Sequence, residues 1–366
     1  MKKISSVCRQ VRSVHDNRKC EINRKKVIWA VLSFLIAIGS IAMVIGRSKE
    51  FRLEDFRASL QSMNRGWVLL AIMSMFGFIW FEGQAILRIA KTLNITKRPG
   101  SGLVYGAADV YFSAITPSAS GGQPASAYFM IRDGMNGSAV AITLLFNLVF
   151  YCVALLSIAA LNFCFFGNIL SHLSIRFNIL YCVGLVILIG LSVLFYLLIQ
   201  QGKLIYRLGD WLIGVGEKMK LVRDGKKRRR KLLQSMEQYH ACAGIIAGDR
   251  RVVRDVFFYN VLQRISQLGV SFFLFMAWKK DWLLALKAVA VQCFVAVGSN
   301  SIPIPGAMGV ADYMMINGFT HLLGESMAVN MELICRGITF YGCVITGGII
   351  TIIGYIRRKR ENVGIL

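Results

Sequence analysis

The sequence predicts an all-α integral membrane protein with about eight transmembrane helices and two segments that are broken by proline and glycine or re-entrant. Hydrophobic residues make up 55% of the 366-residue chain and charged residues only 17%, with a mean hydropathy of +0.56. This composition excludes a water-soluble globular protein of this size. Apolar stretches of the length that crosses a bilayer, roughly 20 residues, recur along the chain. Four of the five prolines lie in two Gly- and Ser-rich interruptions, 116–128 and 302–313.

Eight stretches are apolar enough to be predicted spans. They are 27–46, 67–90, 138–166, 177–200, 255–278, 282–299, 310–323 and 333–356. The first is interpreted as a retained span rather than a cleaved signal peptide, because no small-residue cleavage site follows it. Each half contains two spans, an interruption and two further spans, a layout that suggests a two-fold internal repeat. The repeat is parallel if the count of eight is right, and inverted if one span is miscounted or a re-entrant segment crosses the membrane.

Segment 101–116 precedes the first interruption and is too short and too rich in small residues to be a span. We expect it to be a half-helix or a re-entrant segment, with an interfacial loop as the alternative. Gly102 and Gly106 are four residues apart, and this spacing allows close contact with a neighbouring helix.

Clusters of Lys and Arg predict the orientation, because such residues are retained on the cytoplasmic side. Nine lie in the N-terminal segment 1–26, fourteen in the central loop 203–254, and four in the tail 357–366. We expect all three segments in the cytoplasm and a transmembrane domain over 27–356, in a multi-pass protein of the cell membrane.

Segment 47–66 is an exception, because it carries five Lys and Arg residues although it follows the first span and would lie outside. Phe56, Leu60 and Met63 recur in it at helical spacing, which predicts a short helix lying on the outer surface.

The net charge of +24 points to membrane lipids as partners. The positive charge is gathered beside the predicted spans without a nucleic-acid-binding motif, so attraction to the anionic inner leaflet explains it and nucleic acid is not expected. The nine cysteines contain no C-x-x-C pair, and the four histidines have no ligand-like spacing, so no metal and no cofactor are expected. Enzyme motifs are lacking as well.

Ionisable residues inside apolar segments are the second group of candidates, since such residues are costly in a bilayer unless paired or hydrated. They are Glu82, Asp109, Arg132, Asp133, Arg264, Asp312 and Arg336. Asn260, Gln263, Arg264 and Gln267 fall on one helical face, which should look toward a partner or water. A structural ion pair or a side chain reaching the interface is the alternative for each single residue, and it is weakest for Arg264.

Three segments carry a resemblance to a known family: Ile115 to Gly134, Pro303 to Tyr313, and Cys335 to Gly348. Together they resemble the flippase-like integral membrane proteins that share the transmembrane region of lysylphosphatidylglycerol synthase, over about 27–356. The third segment has an Arg, a Tyr and a Gly in the order that the family tends to show. This chain departs from the pattern at Asp312, where the family usually has Glu, and at Cys335, where it often has Trp.

The resemblance implies movement of a phospholipid, for example an aminoacylated one, between leaflets. It does not imply lysyl transfer, because the two-domain synthases carry that reaction on a soluble C-terminal domain, whereas this chain stops ten residues after its last predicted span. We therefore expect no enzyme activity. A homo-oligomer or a lipid-modifying enzyme is the expected protein partner. The competing hypotheses are a non-transporting scaffold or accessory subunit and an ion-coupled small-molecule transporter.

The predicted substrate-binding residues lie at the two interruptions and on the predicted spans. They are Gly121, Gly122, Gln123, Arg132, Arg264, Pro305, Gly306, Gly309, Asp312 and Arg336. Backbone N–H groups at the glycines would hold a phosphate together with an arginine, and the carboxylates would receive a headgroup amine. Asp312 and Arg336 are expected to face one polar cavity and to pair or to divide a zwitterionic headgroup between them.

Overall fold

The structure is a computed structural model that describes residues 53–93, 100–200, 206–207, 210–211, 214, 225–300 and 302–363. In these ranges all regular secondary structure is helical. The predicted N-terminal segment 1–26 and the predicted span 27–46 lie outside the described residues. So do parts of the central loop and the last three residues of the tail.

The helices in the described ranges are named here in chain order. They are α1 (Leu53–Ser62), α2 (Arg65–Thr92), α3 (Ser101–Ile115), α4 (Gly122–Arg132), α5 (Gly137–Phe166), α6 (Ile175–Gln200), α7 (Gly225–Gly248), α8 (Arg250–Lys279), α9 (Trp282–Ser299), α10 (Val310–Leu323), α11 (Glu325–Arg336) and α12 (Cys343–Val363). Short 3₁₀ turns cover Pro117–Ala119, Gly167–His172 and Pro305–Ala307, and a π-helical turn, Gly337–Gly342, joins α11 to α12.

Six helical stretches of the described part are long and apolar enough to cross a membrane. They are α2, α5 with the turn after it, α6, α8, α9, and α11 continued through α12, and they correspond to six of the eight predicted spans. The predicted span 310–323 is α10, which has only 14 residues. At 1.5 Å per residue it is about 21 Å long, shorter than the ~30 Å hydrocarbon core. The chain is therefore a multi-pass membrane protein. The predicted number of eight spans is not confirmed, because α10 is too short to count as one of them.

Helices α2 and α8 form an antiparallel pair at the centre of the molecule. Arg88 Nε donates to Asp255 Oδ2 at 2.9 Å near one end of the pair, and Asn64 N donates to the Ala277 carbonyl at 3.0 Å at the other end. Between them, the Ser74 hydroxyl donates to a carbonyl of α8 at 2.7 Å. We call the two ends of this pair the Arg88 face and the Asn64 face.

The first interruption is the tip of a hairpin that opens on the Arg88 face. Helix α3 runs antiparallel to α2, and a Cβ on Gly102 would lie 2.8 Å from the carbonyl oxygen of Gly83. Tyr105, near the start of α3, donates its hydroxyl to Asp133 just after the end of α4, at 2.6 Å. The start of α3 and the end of α4 therefore lie side by side. The predicted re-entrant segment and its close glycine contact are confirmed, and the interfacial-loop alternative is wrong.

The second interruption is the tip of a hairpin that opens on the opposite, Asn64 face. Helix α9 begins three residues after α8 ends there, and α10 returns antiparallel to it. A Cβ on Gly298 would lie 2.6 Å from the methyl group of Met314, and a Cβ on Gly318 would meet Val291. Because α10 is a return arm and not a span, the two broken segments are related in the inverted sense. The parallel relation that eight spans would give is not what the hairpins show.

The tips of the two hairpins meet, because the turns Pro117–Ala119 and Pro305–Ala307 are in contact. The two turns also have the same local structure, a Pro-x-Ala sequence whose alanine has a left-handed backbone. Ala119 has φ 52° and Ala307 has φ 49°. Because such a conformation costs an L-residue roughly 1–2 kcal/mol, its recurrence supports a shared origin of the layout in the two halves.

Two segments that were predicted to lie on the surface are helical. The segment 47–66 contains α1, as expected; in this region Leu60 is exposed and Met63 is buried. The central loop 203–254 contains α7, which packs Tyr239 and Ile246 against α5 and α8. Burial raises the pKa of Tyr239 to about 12. This loop is thus partly a docked helix and not only a polybasic connection.

Candidate functional site

The polar face predicted on α8 is buried against α2 and α5. Asn260, Gln263 and Arg264 are each 4% exposed or less. Gln263 Nε2 and Asn147 Nδ2 donate to the two carboxylate oxygens of Glu82, at 2.5 and 2.7 Å. Asn260 donates to Asn147 Oδ1 at 3.1 Å. Both oxygens of Glu82 therefore accept hydrogen bonds from amide donors.

Arg264 lies beside this network with part of its hydrogen-bonding capacity unused. Its guanidinium carbon is 4.3 Å from the ring centroid of Tyr151 and 5.0 Å from that of Phe78. Nη1 donates to Gln267 Oε1 at 2.8 Å, whereas Nε is buried and has no hydrogen-bond partner in the part of the chain described here. A guanidinium group with an unused N–H donor can bind an anion.

Tyr151 links Arg264 to the second hairpin, because its hydroxyl donates to Asn300 Oδ1 at 2.7 Å. Asn300 directly follows α9 and precedes the second interruption. Arg264 is thus connected to the tip of the second hairpin through two side chains, those of Tyr151 and Asn300.

The first tip is built around Asp109 of α3. Ser113 Oγ donates to Asp109 Oδ1 at 3.1 Å, and Gln123 Nε2 donates to Oδ2 at 3.2 Å. Gly122 must be a glycine in this packing, because a Cβ on it would collide with the side chains of Asp109 and Ser113. The predicted site residues Gly122 and Gln123 therefore hold α4 against α3 and fix the Asp109 carboxyl.

The second tip contains the pair that the sequence predicted. Arg336 Nε lies 2.7 Å from Asp312 Oδ1, with side-chain exposures of 12% and 5%. Arg336 Nη2 also donates to the Gly306 carbonyl at 3.2 Å, and its guanidinium lies 5.0 Å from the ring centroid of Phe340. Gly306 follows Pro305 in the turn, has φ 58°, and would collide with Phe340 if it carried a Cβ. The second interruption is thus fixed directly to α11 and the π-helical turn.

The predicted anion site on backbone N–H groups is wrong at two of its positions. The Gly121 N–H donates to Thr116 Oγ1 at 2.8 Å, and the Gly309 N–H donates to Asp312 Oδ2 at 2.8 Å. Both N–H groups are therefore already hydrogen-bonded within their own turn or helix start. The guanidinium groups of Arg264 and Arg336 remain as candidates for binding an anion.

Glu332 of α11 was missed, because it lies between the predicted spans 310–323 and 333–356. It is 1% exposed, and its carboxyl lies beside that of Asp312. The available signal was its position four residues before Arg336, a spacing at which opposite charges meet on one helix face. With Glu332 included, the described residues of the second tip comprise two buried carboxyl groups and one arginine, whereas Glu82 and Arg264 lie on α2 and α8.

Arg132 is not brought to the tips. It ends α4, at about 15 Å of helix length from Gly122, and its Nη1 donates to the Tyr128 hydroxyl at 3.0 Å. The neighbouring Asp133 accepts from Arg358 at 2.5 and 2.8 Å. Arg358 was predicted to lie in a basic tail, yet its side chain is only 6% exposed. For Asp133, the structural ion pair that was the alternative to a functional role is therefore what the structure shows. This pair holds the first hairpin against α12.

We expect Arg358→Met or Asp133→Asn to lower the free energy of unfolding by about 3–5 kcal/mol, because either change leaves the other charge buried and unpaired. The double variant should lose less than the sum of the two single losses. Unfolding of the detergent-solubilised protein, followed by size-exclusion fluorescence after heating, measures this. Arg357→Met is the matched control, since Arg357 is the exposed neighbour on the same helix. Equal losses for Arg357→Met and Arg358→Met would contradict the buried pair.

The chemistry available at the tips is binding. Guanidinium groups match phosphate oxygens, and carboxylates accept hydrogen bonds from ammonium groups. Across the described residues, no group of three or more His, Cys, Asp and Glu side chains could hold a metal ion.

Comparison with known proteins agrees with this architecture. The family model described as the lysylphosphatidylglycerol synthase transmembrane region matches residues 30–347. This range includes both hairpins and the charged residues Glu82, Asp109, Arg264, Asp312, Glu332 and Arg336. No curated protein sequence matches the chain. On the family match over most of its length, the chain belongs to the family of the lysylphosphatidylglycerol synthase transmembrane region.

Proposed function

We propose that this protein is a lipid translocase that moves a phospholipid, or a modified one such as an aminoacylated phospholipid, between the leaflets of the cell membrane. One observation carries the proposal. Buried groups of both charges, including Arg264 and Arg336, lie at the meeting point of two hairpins that open on opposite faces. Charged groups are retained at such depth only where they are paired or serve a pathway. Membership of a family named for a lipid-modifying enzyme supports a lipid as the substrate.

In this proposal the headgroup travels along the charged tips while the acyl chains stay in the lipid. Its phosphate binds the guanidinium of Arg264, whose Nε has no partner in the described ranges, and then that of Arg336. A headgroup amine binds the carboxyl groups. Moving an isolated charge to the bilayer centre costs at least about 2.5–3.5 kcal/mol, and the tips offset this cost by offering counter-charges. No covalent step is needed, so lysyl transfer would belong to a partner enzyme and not to this chain.

The opposed hairpins supply the two sides of the pathway. Each hairpin opens on one face and is closed at its tip by the other, as the broken helices of transporters are. We assign the Arg88 face to the cytoplasm, because the exposed Arg250, Arg251, Arg357 and Arg360 lie there. The anionic inner leaflet would contact these residues.

Reconstitution of the purified full chain into liposomes tests the proposal. Acyl-labelled NBD-phosphatidylglycerol reports leaflet position through quenching by dithionite, and lysylated phosphatidylglycerol reports it through reaction with fluorescamine. We expect Arg264→Gln to reduce movement at least tenfold and Arg264→Lys to retain part of it, because lysine keeps the charge but not the planar stack.

Arg250→Gln is the matched control, since Arg250 is an exposed arginine at the start of the same helix. Equal lipid movement by wild type and by protein-free liposomes would contradict the proposal and favour a scaffold or accessory subunit. Movement of a soluble ion or small molecule without lipid would favour the small-molecule transporter instead.

A further inference from the structure

Asp312, Glu332 and Arg336 form a charge cluster at the second tip, which we call the 312/332/336 cluster. Asp312 is 4% exposed and Glu332 is 1% exposed. Arg336 lies against one oxygen of Asp312, and the Gly309 N–H donates to the other.

Among the residues that the structure describes, the cluster has more carboxyl groups than cations. In this part of the chain the titratable and charged groups around Glu332 are Asp312 on α10 and Cys335 and Arg336 on α11. Helix α8 contributes the uncharged Ser271, whose hydroxyl lies 3.6 Å from the sulfur of Cys335. Two ionised carboxylates against one guanidinium would leave one negative charge buried, which is costly.

A proton on one of the two carboxyl groups would supply the missing positive charge. The carboxyl groups of Glu332 and Asp312 are both buried beside Arg336, and Glu332 Oε2 has no hydrogen-bond partner in the ranges that the structure describes. Ionised carboxylates only accept hydrogen bonds, so two neighbouring carboxyl groups can form a bond only if one of them holds a proton. Glu82 on α2 differs, because amide groups donate to both of its oxygens.

We propose that Asp312 and Glu332 form a proton-binding site that couples lipid movement to a proton gradient, an inference that rests on the proposed function. The charge balance gives the mechanism. With both carboxyl groups ionised, the cluster carries one net negative charge, which opposes the binding of a lipid phosphate to Arg336. When the pair takes up one proton, the cluster is neutral and the phosphate can bind Arg336. Phosphate and proton therefore favour each other's binding and are released together at the opposite face.

The test uses liposomes that contain the reconstituted chain, NBD-phosphatidylglycerol and an imposed pH gradient of one unit. Coupling to one proton should shift the steady-state distribution of lipid between leaflets by about tenfold in wild type. Glu332→Gln is expected to lose this shift, because its cluster is neutral without a bound proton. Glu325→Gln, which changes an exposed acid on the same helix, should behave as wild type.

A second measurement does not depend on transport. Infrared spectra of the purified protein should show the carbonyl band of a protonated carboxylic acid, reduced in Glu332→Gln and unchanged in Glu325→Gln. Glu332→Asp, which keeps a carboxyl group, serves if Glu332→Gln does not fold, and it should retain part of the band.

The outcomes separate the two proposals. A full response of Glu332→Gln to the pH gradient, or an unchanged infrared band, would overturn the proton site while lipid movement stands. A response to a sodium gradient in place of a pH gradient would also overturn it. Absence of lipid movement in wild type would overturn the proposed function and the coupling with it, and the infrared difference would then decide only whether the pair holds a proton.

Discussion

Asp312→Asn and Arg336→Gln are each expected to lower the free energy of unfolding by about 3–5 kcal/mol and to abolish lipid movement. The two charged atoms are 2.7 Å apart and both side chains are largely buried. Arg336→Gln therefore leaves Asp312 without its counter-charge, and Asp312→Asn removes the carboxylate that lies 2.7 Å from Arg336. The double variant should lose less stability than the sum of the two, because no unpaired member of this pair remains.

Folded yield, thermal unfolding and liposome transport of the two single variants and the double variant separate the possible roles. Recovered stability without recovered transport would support a pair that also binds substrate. Recovery of both would make the pair structural, and strictly additive losses would contradict the contact. Arg254→Gln is the comparison, because Arg254 forms an exposed pair with Asp255 and is 75% exposed; its loss should be within about 1 kcal/mol.

The pair of Asp312 and Arg336 could be predicted from the sequence because both residues are charged and their neighbours are mostly apolar. Ionisable residues in apolar segments are rare, and one of them directly follows a Pro- and Gly-rich interruption. The two hairpin tips were predictable for the same reason, since a broken helix must be covered by protein in a membrane. Local composition is enough for such residues.

Helix lengths and connections were harder to predict. Residues 310–323 are as apolar as a span but form a short return arm, and this one element changes the relation between the halves from parallel to inverted. Glu332 was assigned to a loop because the predicted span begins at residue 333, directly after it, and the part of α11 before it contains the polar residues Glu325 and Asn330. A continuous helix with a π-helical turn is not visible in hydropathy alone.

Contacts between distant residues could not be predicted. Asp133 and Arg358 are 225 residues apart in the sequence, and nothing near Arg358 distinguishes it from the exposed basic residues on either side. The capping of α10 was predictable in principle, because Asp312 lies three residues after Gly309, the spacing of a capping box. That spacing would have shown that the Gly309 N–H is already used.

Valine at Gly122 or Gly306 is expected to reduce lipid movement at least tenfold, because both glycines allow approaches that a side chain prevents. A Cβ on Gly122 would lie 2.6 Å from the backbone oxygen of Asp109, so Gly122→Val must push α4 away from α3. At Gly306 a Cβ would meet the ring of Phe340, and the φ of 58° adds strain. Both changes displace a hairpin tip.

Alanine substitutions separate the collision from the strain. Gly306 and Gly309 both have positive φ, but a Cβ on Gly309 meets nothing within 4 Å. Gly309→Ala should therefore lose only about 1–2 kcal/mol of stability, whereas Gly306→Ala should also displace Phe340 and Arg336 and reduce transport. Gly190→Val on α6, where space is open, should move lipid as wild type does. Transport equal to wild type in the folded Gly122→Val and Gly306→Val proteins would mean that headgroups do not pass the tips.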